Sequence, residues 1–418
     1  MLNKLLGQGS YGCVYYPGID CNAEYNKSKY VTKIQIKGSS TQNEINIGNI
    51  IKEKIKNYNK YFVIIIKSCP ITINQINKKN KIDLNECKFL KEYNENFIDP
   101  ELNNKTLYLT YLKRVNGNDF NTFYKIYFKK NRNISIIINN YKQLNFSTNL
   151  LYENNISHND MHIHNIMVNR KNNNLLIIDF GLSFIYNKDI EENIYKYLLY
   201  SSFDNYRTHE CFDKRFCRFI IDTISEKYKI EEATVETIRN IDNFLLINDI
   251  NTFKKRMLYE FNKNFSNILS DKNITYINNL LNYYDKYIEY SKYPKLMTIF
   301  TDIYKNIGYI DQYSVNINYL HVYNYYIKYN LQENNIYICK FLKQLWLIGI
   351  HPTINMRFTY NQTILYLDKI IELVKKHKID NEDFKQDVTQ FLTDNKLLNI
   401  CTNFNINYEY LFKIIDFV

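Results

Sequence analysis

Residues 156–181 are the part of this sequence that most constrains its fold. Two short apolar runs, at 166–168 and 175–178, are separated by a polar turn of Asn, Arg and Lys residues. Apolar runs on either side of an Asn-rich turn predict a β-hairpin. This hairpin would hold Asp160 before its first strand and Asp179 at the end of its second.

Asn165 and the two aspartates form a set of polar groups that suits one kind of chemistry. Asn165 follows Asp160 by five residues and precedes Asp179 by fourteen. One carboxylate can orient a hydroxyl nucleophile, while the carboxamide and the other carboxylate supply oxygen ligands of the kind that Mg²⁺ prefers. The hairpin therefore predicts a site that handles the phosphates of a Mg²⁺-bound nucleotide.

Three motifs in this stretch stand at the spacing of the protein kinase superfamily. Residues 158–160, His-Asn-Asp, lie where that family has His-Arg-Asp, and Asn165 falls on the asparagine of its catalytic loop. Residues 179–181 are an intact Asp-Phe-Gly. Each motif is weak alone, but their joint spacing is specific. The resemblance implies an α+β, bilobal kinase-like fold, with a small antiparallel β N-lobe and a large, mainly α C-lobe.

The resemblance also implies roles for these residues. Asp160 would accept or orient the proton of the acceptor hydroxyl, and Asn165 and Asp179 would bind Mg²⁺. ATP would be the nucleotide, and Met167, on the first strand of the hairpin, would pack beneath its adenine.

A glycine-rich segment near the N-terminus fits the pattern Gly-x-Gly-x-x-Gly-x-Val. Glycines let backbone amides close over phosphates where a Cβ would collide, although a dinucleotide-binding loop has the same glycine spacing. Apolar residues resume directly after the glycines, which predicts a strand–turn–strand and not a strand–turn–helix. The resemblance therefore implies that this segment covers ATP, through residues Leu6, Gly7, Gln8, Gly9, Ser10, Tyr11, Gly12, Cys13 and Val14.

Lys33 lies in an apolar strand, Tyr-Val-Thr-Lys-Ile, that resembles the Val-Ala-Ile-Lys strand of kinases. The resemblance implies that Lys33 reaches the α- and β-phosphates and that Thr32 takes the place of the small residue over the adenine. A helix predicted over 39–55 would supply the acidic partner of Lys33. Glu44 and Glu53 compete for this role, and the isoleucines that follow Glu44 favour it.

The apolar run at residues 107–112 resembles the strand that leads into the hinge between the two lobes of a kinase. On this resemblance Tyr111 borders the adenine pocket. The backbone of Leu112, Lys113 and Arg114 would form hydrogen bonds with the purine. These residues would complete the nucleotide site.

The catalytic loop departs from the kinase pattern at two positions. Asn159 replaces an Arg that often receives an activation-loop phosphate, so switching by loop phosphorylation is not expected. His162 occupies the place of the usual Lys, where a protonated imidazole would help with the charge of the γ-phosphate. His158, His162 and His164 also invite a transition-metal site, but the neighbouring acids suit a hard cation better.

Beyond the hairpin the likeness is patchy. Residues 208–210, Thr-His-Glu, stand in for Ala-Pro-Glu, and Asp311 resembles the aspartate at the helix start that steadies a kinase catalytic loop. Asp213 is a competing match for that aspartate. Asp311 is preferred because His-Pro and Arg357 follow it at the spacing of kinases. On this interpretation Arg357 pairs with Glu210.

The resemblance covers residues 5–185 well and divides the chain into two lobes and a tail. The expected domains are an N-lobe at 1–112, a C-lobe at 113–377 with a helical insertion at about 211–308, and a helical C-terminal tail at 378–418. Within them, apolar patterning predicts helices over 119–127, 134–154 and 359–377 and a strand over 61–67.

The composition is that of a globular protein, with 45% hydrophobic and 23% charged residues among 418. The eight cysteines include no Cys-x-x-Cys pair, which argues against a zinc cluster and favours free thiols in a reducing, intracellular (cytoplasmic) setting. No apolar run approaches the roughly 18 residues of a membrane helix. The net charge of +11 is spread along the chain without a nucleic-acid-binding signature, which favours the AT-rich composition bias towards Lys as its origin. The functional alternative is attraction to acidic partners such as acidic protein substrates, nucleotides or anionic surfaces.

Three functions are compatible with these motifs. The leading hypothesis is an active protein kinase that transfers the γ-phosphate to Ser or Thr hydroxyls. A small-molecule phosphotransferase of the choline or aminoglycoside kinase type shares the His-Asn-Asp loop, but the full glycine loop and the glycine after Phe180 favour the first. A non-catalytic, nucleotide-binding pseudokinase would explain the missing Arg and Lys, but the acids are intact. The divergence, the insertions and the AT-rich composition resemble kinases of large DNA viruses.

Overall fold

The computed structural model describes residues 4–9, 12–19, 21, 25–26, 30–36, 38–72, 75, 86–88, 91, 106–130, 134–187, 190–195, 207–229, 234–329, 333–352, 357–376 and 382–395. Its strands are β1 (Lys4–Gly9), β2 (Gly12–Tyr16), β3 (Gly18–Ile19), β4 (Tyr25–Asn26), β5 (Tyr30–Ile36), β6 (Ile65–Thr72), β7 (Thr106–Lys113), β8 (Gly117–Asp119), β9 (Ile156–Ser157), β10 (Ile166–Asn169), β11 (Leu175–Ile177) and β12 (Phe184–Ile185). Its α-helices are α1 (Ser39–Lys54), α2 (Phe120–Lys130), α3 (Ser135–Glu153), α4 (Ile190–Asn193), α5 (Phe212–Tyr228), α6 (Val235–Asn240), α7 (Ile247–Phe265), α8 (Asp271–Leu281), α9 (Leu296–Tyr304), α10 (Ile310–Tyr329), α11 (Glu333–Gly349), α12 (Tyr360–Lys376) and α13 (Glu382–Asp394).

The chain divides into two compact units. The sheet unit is formed by Met1–Asp119 and Asn165–Ser183, and the helical unit by Phe120–His164 and Phe184–Val418. The fold class is α+β, as predicted, with an antiparallel sheet in the N-terminal region and a larger, mainly helical C-terminal region.

The sheet unit is built on a five-stranded antiparallel sheet in the order β1-β2-β5-β7-β6. Successive residues of a strand point to opposite faces, so each face collects its own apolar cluster. One cluster contains Cys13, Ile34 and Tyr111, and the other contains Val31 and Leu112. The predicted strand over 61–67 is shifted, because the strand begins at Ile65 and runs through Pro70 at the edge of the sheet, where proline is tolerated.

The predicted hairpin is present as β10 and β11, and it belongs to the sheet unit. Its first strand also pairs with β8, with Met167 opposite Asp119. The segment after α1 joins the second strand, since Val63 N–H donates to the carbonyl of Ile177 at 2.9 Å. These pairings explain why the division between the units falls at Asp119 and not at the expected 112, and why 165–183 group with the sheet.

Two disulfide bonds tie the sheet unit together, one between Cys13 and Cys87 and one between Cys21 and Cys69. The expectation of free thiols is therefore wrong for these four residues, because the fold brings cysteines 74 and 48 residues apart into contact. Among the described residues, three buried cysteines are free, and all of them lie in the helical unit: Cys211, Cys217 and Cys339.

The helical unit is organised around α10, whose residues are buried on several faces. It packs against α2, α3 and α11, and aromatic rings fill the space between these helices. Tyr319 of α10 lies edge-on to Tyr141 of α3 at 4.9 Å between ring centroids, and its centroid is 5.7 Å from that of Trp346 of α11. Such ring pairs stabilise a core beyond the area that they bury.

The described residues at either end of this unit follow the predictions with small shifts. Helices were predicted over 119–127, 134–154 and 359–377, and they occur as α2, α3 and α12. The range 211–308 contains helices α5 to α9. The expected tail at 378–418 includes α13, which packs against α12, and residues 396–418 lie outside the described residues. No helix in the described part of the chain is long and apolar enough to cross a membrane.

Candidate active site

Lys33 is held between two carboxylates in the sheet unit. Its Nζ lies 3.1 Å from Glu44 Oε2 and 3.3 Å from Asp179 Oδ1. The Lys33–Glu44 pair was predicted from the sequence, and the competing Glu53 is exposed on α1. Burial alone would lower the pKa of Lys33, but the two carboxylates outweigh it and raise that pKa. Lys33 of β5 is therefore a fixed cation next to Asp179, which lies two residues after the end of β11.

The backbone around Asp179 is held by α1. Asp179 has a left-handed φ of 64°, a conformation that aspartate tolerates better than most residues. Asn43 Nδ2 donates to the carbonyls of Gly181 at 3.0 Å and Ser183 at 2.7 Å, and Ser40 Oγ donates to the same Gly181 carbonyl at 3.4 Å. Sequence reasoning missed Asn43, because nothing in the local pattern of α1 distinguishes it from other surface asparagines.

The glycine-rich segment forms the predicted strand–turn–strand from β1 and β2, and Ser10 and Tyr11 lie outside the described residues. A Cβ added to Gly7 or Gly9 would meet no described atom within 4 Å. A Cβ at Gly12 would lie 2.3 Å from the carbonyl oxygen of Ile34. Packing against β5 therefore requires glycine at 12, whereas the side of the hairpin at Gly7 and Gly9 is open.

The expected ligand contacts of this segment are divided between two faces. Leu6 and Gln8 are exposed on β1, and Gln8 Oε1 accepts a hydrogen bond from Lys88 N–H at 3.1 Å. Val14 lies opposite Lys33 in the β2–β5 register, so it shares the face of Lys33. Cys13 does not, because its buried sulfur is bonded to Cys87 on the other face. A contact of Cys13 with the nucleotide would therefore involve its backbone, and it stays a prediction.

Thr32 also points away from the face of Lys33. Its side chain is fully buried, and its hydroxyl donates to the carbonyl of Ile19 at 3.1 Å. The residue that shares the face of Lys33 is Val31, two positions before the lysine. The expectation that Thr32 covers the adenine is therefore wrong. Val31, one residue earlier, lies on the face of Lys33, because neighbouring residues of a strand point to opposite faces of the sheet.

The same one-residue offset affects Tyr111. Tyr111 lies opposite Thr32 and packs in the cluster that contains Cys13, with its hydroxyl donating to Cys21 Sγ at 3.7 Å. Thr110, opposite Lys33, and Leu112, opposite Val31, occupy the face of the lysine instead. The prediction that Tyr111 borders an adenine pocket is therefore wrong.

The remaining predicted adenine contacts are compatible with the face of Lys33. Met167 is half-buried and lies opposite Leu176, which packs with Val31 and Leu112. Lys113 is exposed at the end of β7. Their contact with a nucleotide stays a prediction.

Asp160 lies in the helical unit at the centre of a group of basic side chains. His209 Nε2 is 3.1 Å from Asp160 Oδ1, Arg207 NH1 is 3.9 Å from the same oxygen, and His162 Nε2 is 3.7 Å from Oδ2. Burial would raise the pKa of Asp160, but the hydrogen bond from His209 and the electrostatic interaction with the neighbouring histidines, which are protonated only in acid, lower it to about 2. The carboxylate is therefore ionised at neutral pH.

His162 does not carry the charge that the sequence suggested for it. Burial lowers the pKa of His162 to about 4, although the nearby carboxylate of Asp160 acts in the opposite direction. Its Nδ1 accepts a hydrogen bond from the backbone N–H of His164 at 3.1 Å. The imidazole is therefore neutral at neutral pH, and its help with the charge of the γ-phosphate stays a prediction that requires its protonation.

Asp311 steadies the loop that carries Asp160, as predicted. Its two carboxylate oxygens accept hydrogen bonds from the backbone N–H groups of His158 and Asn159. The competing candidate Asp213 instead accepts a hydrogen bond from the hydroxyl of Tyr284. One face of α10 thus anchors the loop, because Asn318, two turns after Asp311, donates to the carbonyl of Met161 at 2.9 Å.

Asn159, which replaces the Arg of the kinase pattern, adopts a left-handed φ of 62°. Asparagine tolerates this conformation. Its side-chain oxygen accepts a hydrogen bond from the buried Nζ of Lys214 at 3.0 Å. Lys214, which sequence reasoning missed, therefore brings a cation to this loop from α5, where no local motif marks it.

Glu210 is paired, but not with Arg357. Its carboxylate contacts Arg218, Lys214 at 3.6 Å and Arg215 at 3.8 Å, all on α5. Arg357 instead donates to the backbone carbonyls of His351 and Tyr309. The predicted Glu210–Arg357 pair is wrong, because α5 begins immediately after Glu210 and supplies nearer cations.

Asn165 and Asp179 carry the oxygen donors that a Mg²⁺ ion would need, and their binding of the ion stays a prediction. Asn165 precedes β10 directly, and its backbone carbonyl accepts a hydrogen bond from Ile178 N–H at 2.9 Å, next to Asp179. The Asp179 side chain is 45% exposed, so it can reach a ligand. A carboxylate and a carboxamide are the hard oxygen donors that Mg²⁺ selects.

Comparison with known proteins yields matches among solved structures. No protein-family model matches the chain, and no curated protein is similar to it. Among solved structures, the crystal structure of the BubR1 kinase domain is similar over part of its length, with 14% sequence identity and a TM-score of 0.30. The match covers 44% of this chain and 46% of the BubR1 chain, so this chain spans less than half of that domain.

Proposed function

We propose that this protein is an ATP-dependent kinase that transfers the γ-phosphate to Ser or Thr hydroxyls of protein substrates. The observation that carries the proposal is the arrangement of Lys33 between Glu44 and Asp179. A buried lysine fixed by two carboxylates is a costly arrangement for stability alone. It suits a site in which the lysine holds phosphates while one of the carboxylates takes part in binding a cation.

The surface around Lys33 supports a nucleotide as the ligand. Val14, Val31 and Leu112 lie on the same face of the sheet as the lysine and form an apolar floor for a base. The open side of the glycine hairpin at Gly7 and Gly9 leaves its backbone accessible to phosphates. A base on the apolar floor and phosphates at Lys33 would place ATP along one face of the sheet unit.

Asn165 and Asp179 would hold Mg²⁺. The ion, when bound, would neutralise the charge of the phosphates during transfer. Asp179 would then share its oxygens between the ion and Lys33, which explains why a cation and a carboxylate lie together at a partly exposed position. Glu44 would keep the lysine in place when Asp179 is engaged.

Asp160 would orient the acceptor hydroxyl. A carboxylate with a pKa of about 2 is a weak base, so its main contribution is a hydrogen bond that aims the hydroxyl oxygen at the phosphorus. The new O–P bond forms as the bond between the γ-phosphorus and the β–γ bridging oxygen breaks. The hydroxyl proton passes to the Asp160 carboxylate as the new bond forms and is then released to solvent, because a carboxyl with this pKa does not keep it at neutral pH.

Acidic acceptor peptides are the expected protein substrates. Arg207, half exposed, lies beside Asp160, and His164 is exposed on the same loop. A basic surface next to the acceptor position attracts acidic flanking residues. We expect Arg207→Glu to lower kcat/KM about fivefold for an acidic peptide and to spare a neutral one, as rates of phosphate transfer to the two peptides would show.

The test of the proposal is transfer of labelled phosphate from γ-labelled ATP–Mg²⁺ to casein or to the chain itself. Asp160→Asn removes the negative charge at the acceptor position, and we expect it to lower transfer at least a hundredfold while ATP still binds. Asp271→Asn, which changes an exposed carboxylate at the start of α8, is the matched control and should leave transfer unchanged. Equal transfer by wild type and Asp160→Asn would overturn the assignment of Asp160.

The same assay separates the other two functions. ATP binding without transfer to protein, but with transfer to choline or an aminoglycoside, would identify a small-molecule phosphotransferase. ATP binding without transfer to any acceptor would identify a nucleotide-binding pseudokinase.

A further inference from the structure

His209 contacts the proposed catalytic carboxylate, although the kinase-like motifs give it no such role. Its Nε2 lies 3.1 Å from Asp160 Oδ1, and both residues belong to the helical unit. An ionised carboxylate can only accept hydrogen bonds, so Nε2 carries the hydrogen and donates it. The imidazole therefore fixes one oxygen of Asp160 at a hydrogen-bonding distance.

Buried contacts hold His209 in this position. Its side chain is only 10% exposed, and its backbone carbonyl accepts a hydrogen bond from Ser314 Oγ of α10 at 2.8 Å. The next residue, Glu210, is fixed by its contacts with Arg218 and Lys214. His209 and the residue that follows it are thus anchored to helices, so the fold itself holds the imidazole next to Asp160.

A carboxylate that must orient a hydroxyl needs a fixed rotamer. The side chain of Asp160 rotates about two bonds, and the hydrogen bond from His209 Nε2 restricts both rotations. A displacement of about 1 Å at a reacting group can cost on the order of a hundredfold in rate. His162, at 3.7 Å from Oδ2, is too distant for a hydrogen bond.

We propose that His209 is a positioning residue for phosphoryl transfer, which acts by holding Asp160 through the Nε2 hydrogen bond. This inference rests on the function proposed above. His209 contacts neither nucleotide nor acceptor in this role, so its loss should reduce kcat and leave KM for ATP unchanged.

The experiment compares His209→Ala and His209→Gln in the full chain. We expect His209→Ala to lower kcat by about thirtyfold with KM for ATP within twofold of wild type. The side-chain N–H of glutamine can replace the Nε2 donor, so His209→Gln should recover at least a third of the wild-type kcat. His321→Ala is the control, since His321 is an imidazole of the same unit that contacts Phe265 and Thr208.

Three results would overturn the inference. The first is an unchanged kcat in His209→Ala. The second is an equal loss of kcat in the Ala and Gln variants, and the third is an equal loss in His321→Ala, which would indicate a general effect on packing.

A stability measurement separates failure of this inference from failure of the proposed function. If the wild type transfers no phosphate to any acceptor, urea unfolding of Asp160→Ala, His209→Ala and the double variant still tests the contact, because alanine leaves no acceptor for Nε2. Coupled residues give a double variant that is less destabilised than the sum of the two single variants. Additive effects would exclude the contact itself, whatever reaction the protein catalyses.

Discussion

Asp311 accepts a hydrogen bond from the backbone N–H of His158, with 2.6 Å between nitrogen and oxygen, and a second one from Asn159. Asp311→Ala would leave two buried N–H groups without these acceptors, so we expect the free energy of unfolding to fall by about 3 kcal/mol. The loop of Asp160 would also lose its anchor, and kcat should fall more than tenfold. Urea unfolding and transfer assays measure the two effects, with Asp271→Ala as the exposed control.

Glu210 should be energetically coupled to Arg218 and not to Arg357. Removing the Glu210 carboxylate leaves Lys214, Arg215 and Arg218 buried with excess positive charge, so we expect Glu210→Ala to cost about 3 to 5 kcal/mol of stability. Double-mutant cycles on unfolding free energy should give coupling of about 2 kcal/mol for Glu210 with Arg218. A larger coupling of Glu210 with Arg357 would restore the pairing expected from the sequence.

The disulfides should stabilise the sheet unit strongly. They close loops of 74 and 48 residues, for which the loss of chain entropy in the unfolded state gives about 4 kcal/mol each. We expect a reductant to lower the unfolding temperature of the wild type, and Cys13→Ser and Cys21→Ser to do so without reductant.

Cys339→Ser is the matched control, because this buried cysteine is free. Peptide mapping without reductant should recover Cys13 linked to Cys87 and Cys21 linked to Cys69. Full alkylation of all four residues in unfolded, unreduced protein would contradict both bonds.

Asn43 should be needed for transfer although it lies outside every recognised motif. Asn43→Ala removes two hydrogen bonds to the carbonyls of Gly181 and Ser183 and so loosens the backbone that follows Asp179. We expect kcat to fall about tenfold, with a loss of about 1 to 2 kcal/mol of stability. Gln42→Ala, at an exposed neighbouring position that bonds to Asn46, should change neither quantity.

His321 should make the helical unit sensitive to acid. Burial, with a smaller contribution from His209, lowers the pKa of His321 from 6.5 to about 4. The unfolded chain then binds the proton more tightly than the folded one, so stability is full above pH 6.5 and falls as the pH drops towards 4. His321→Phe keeps a ring against Phe265. Between pH 7 and pH 4, the free energy of unfolding of this variant should fall by about 3 kcal/mol less than that of the wild type.

Urea unfolding at each pH should measure the difference in the free energy of unfolding between wild type and His321→Phe. His162, with a pKa of about 4, and Asp213, with a pKa raised to about 6 by burial, titrate in the same range and are present in both. Parallel stability curves for wild type and His321→Phe would show that the imidazole is not buried as described.

The parts of the site that are continuous in sequence could be predicted. The hairpin that carries Asp179 follows from two apolar runs and one polar turn, and both strands formed within one residue of the expected bounds. The Lys33–Glu44 pair and the anchoring role of Asp311 also followed from motif spacing. Such features depend on local propensity and on short, ordered intervals, both of which a sequence displays directly.

The errors arose where a structure depends on register or on distant chain segments. Thr32 and Tyr111 were assigned to the wrong face, because a shift of one residue along a strand reverses every side chain. Glu210 found its partners on α5, and the cysteines of the sheet unit found each other across loops, since burial and proximity decided both outcomes. Composition and motif spacing carry no information on the partners of Glu210 or on the pairing of the cysteines.

Asn43 and Glu44 are consecutive residues of α1, yet they hold different parts of the sheet unit. Glu44 grips Lys33, and Asn43 grips the chain that follows Asp179. Both side chains belong to one helix. A rotation of α1 that separates Glu44 from Lys33 must therefore also displace the backbone of residues 181–183, to which Asn43 is bonded. The helix thus couples the position of Lys33 to the conformation of the backbone that follows Asp179. A partner protein that bound to α1 and rotated it would change the position of Lys33 and the conformation of the backbone after Asp179 at the same time.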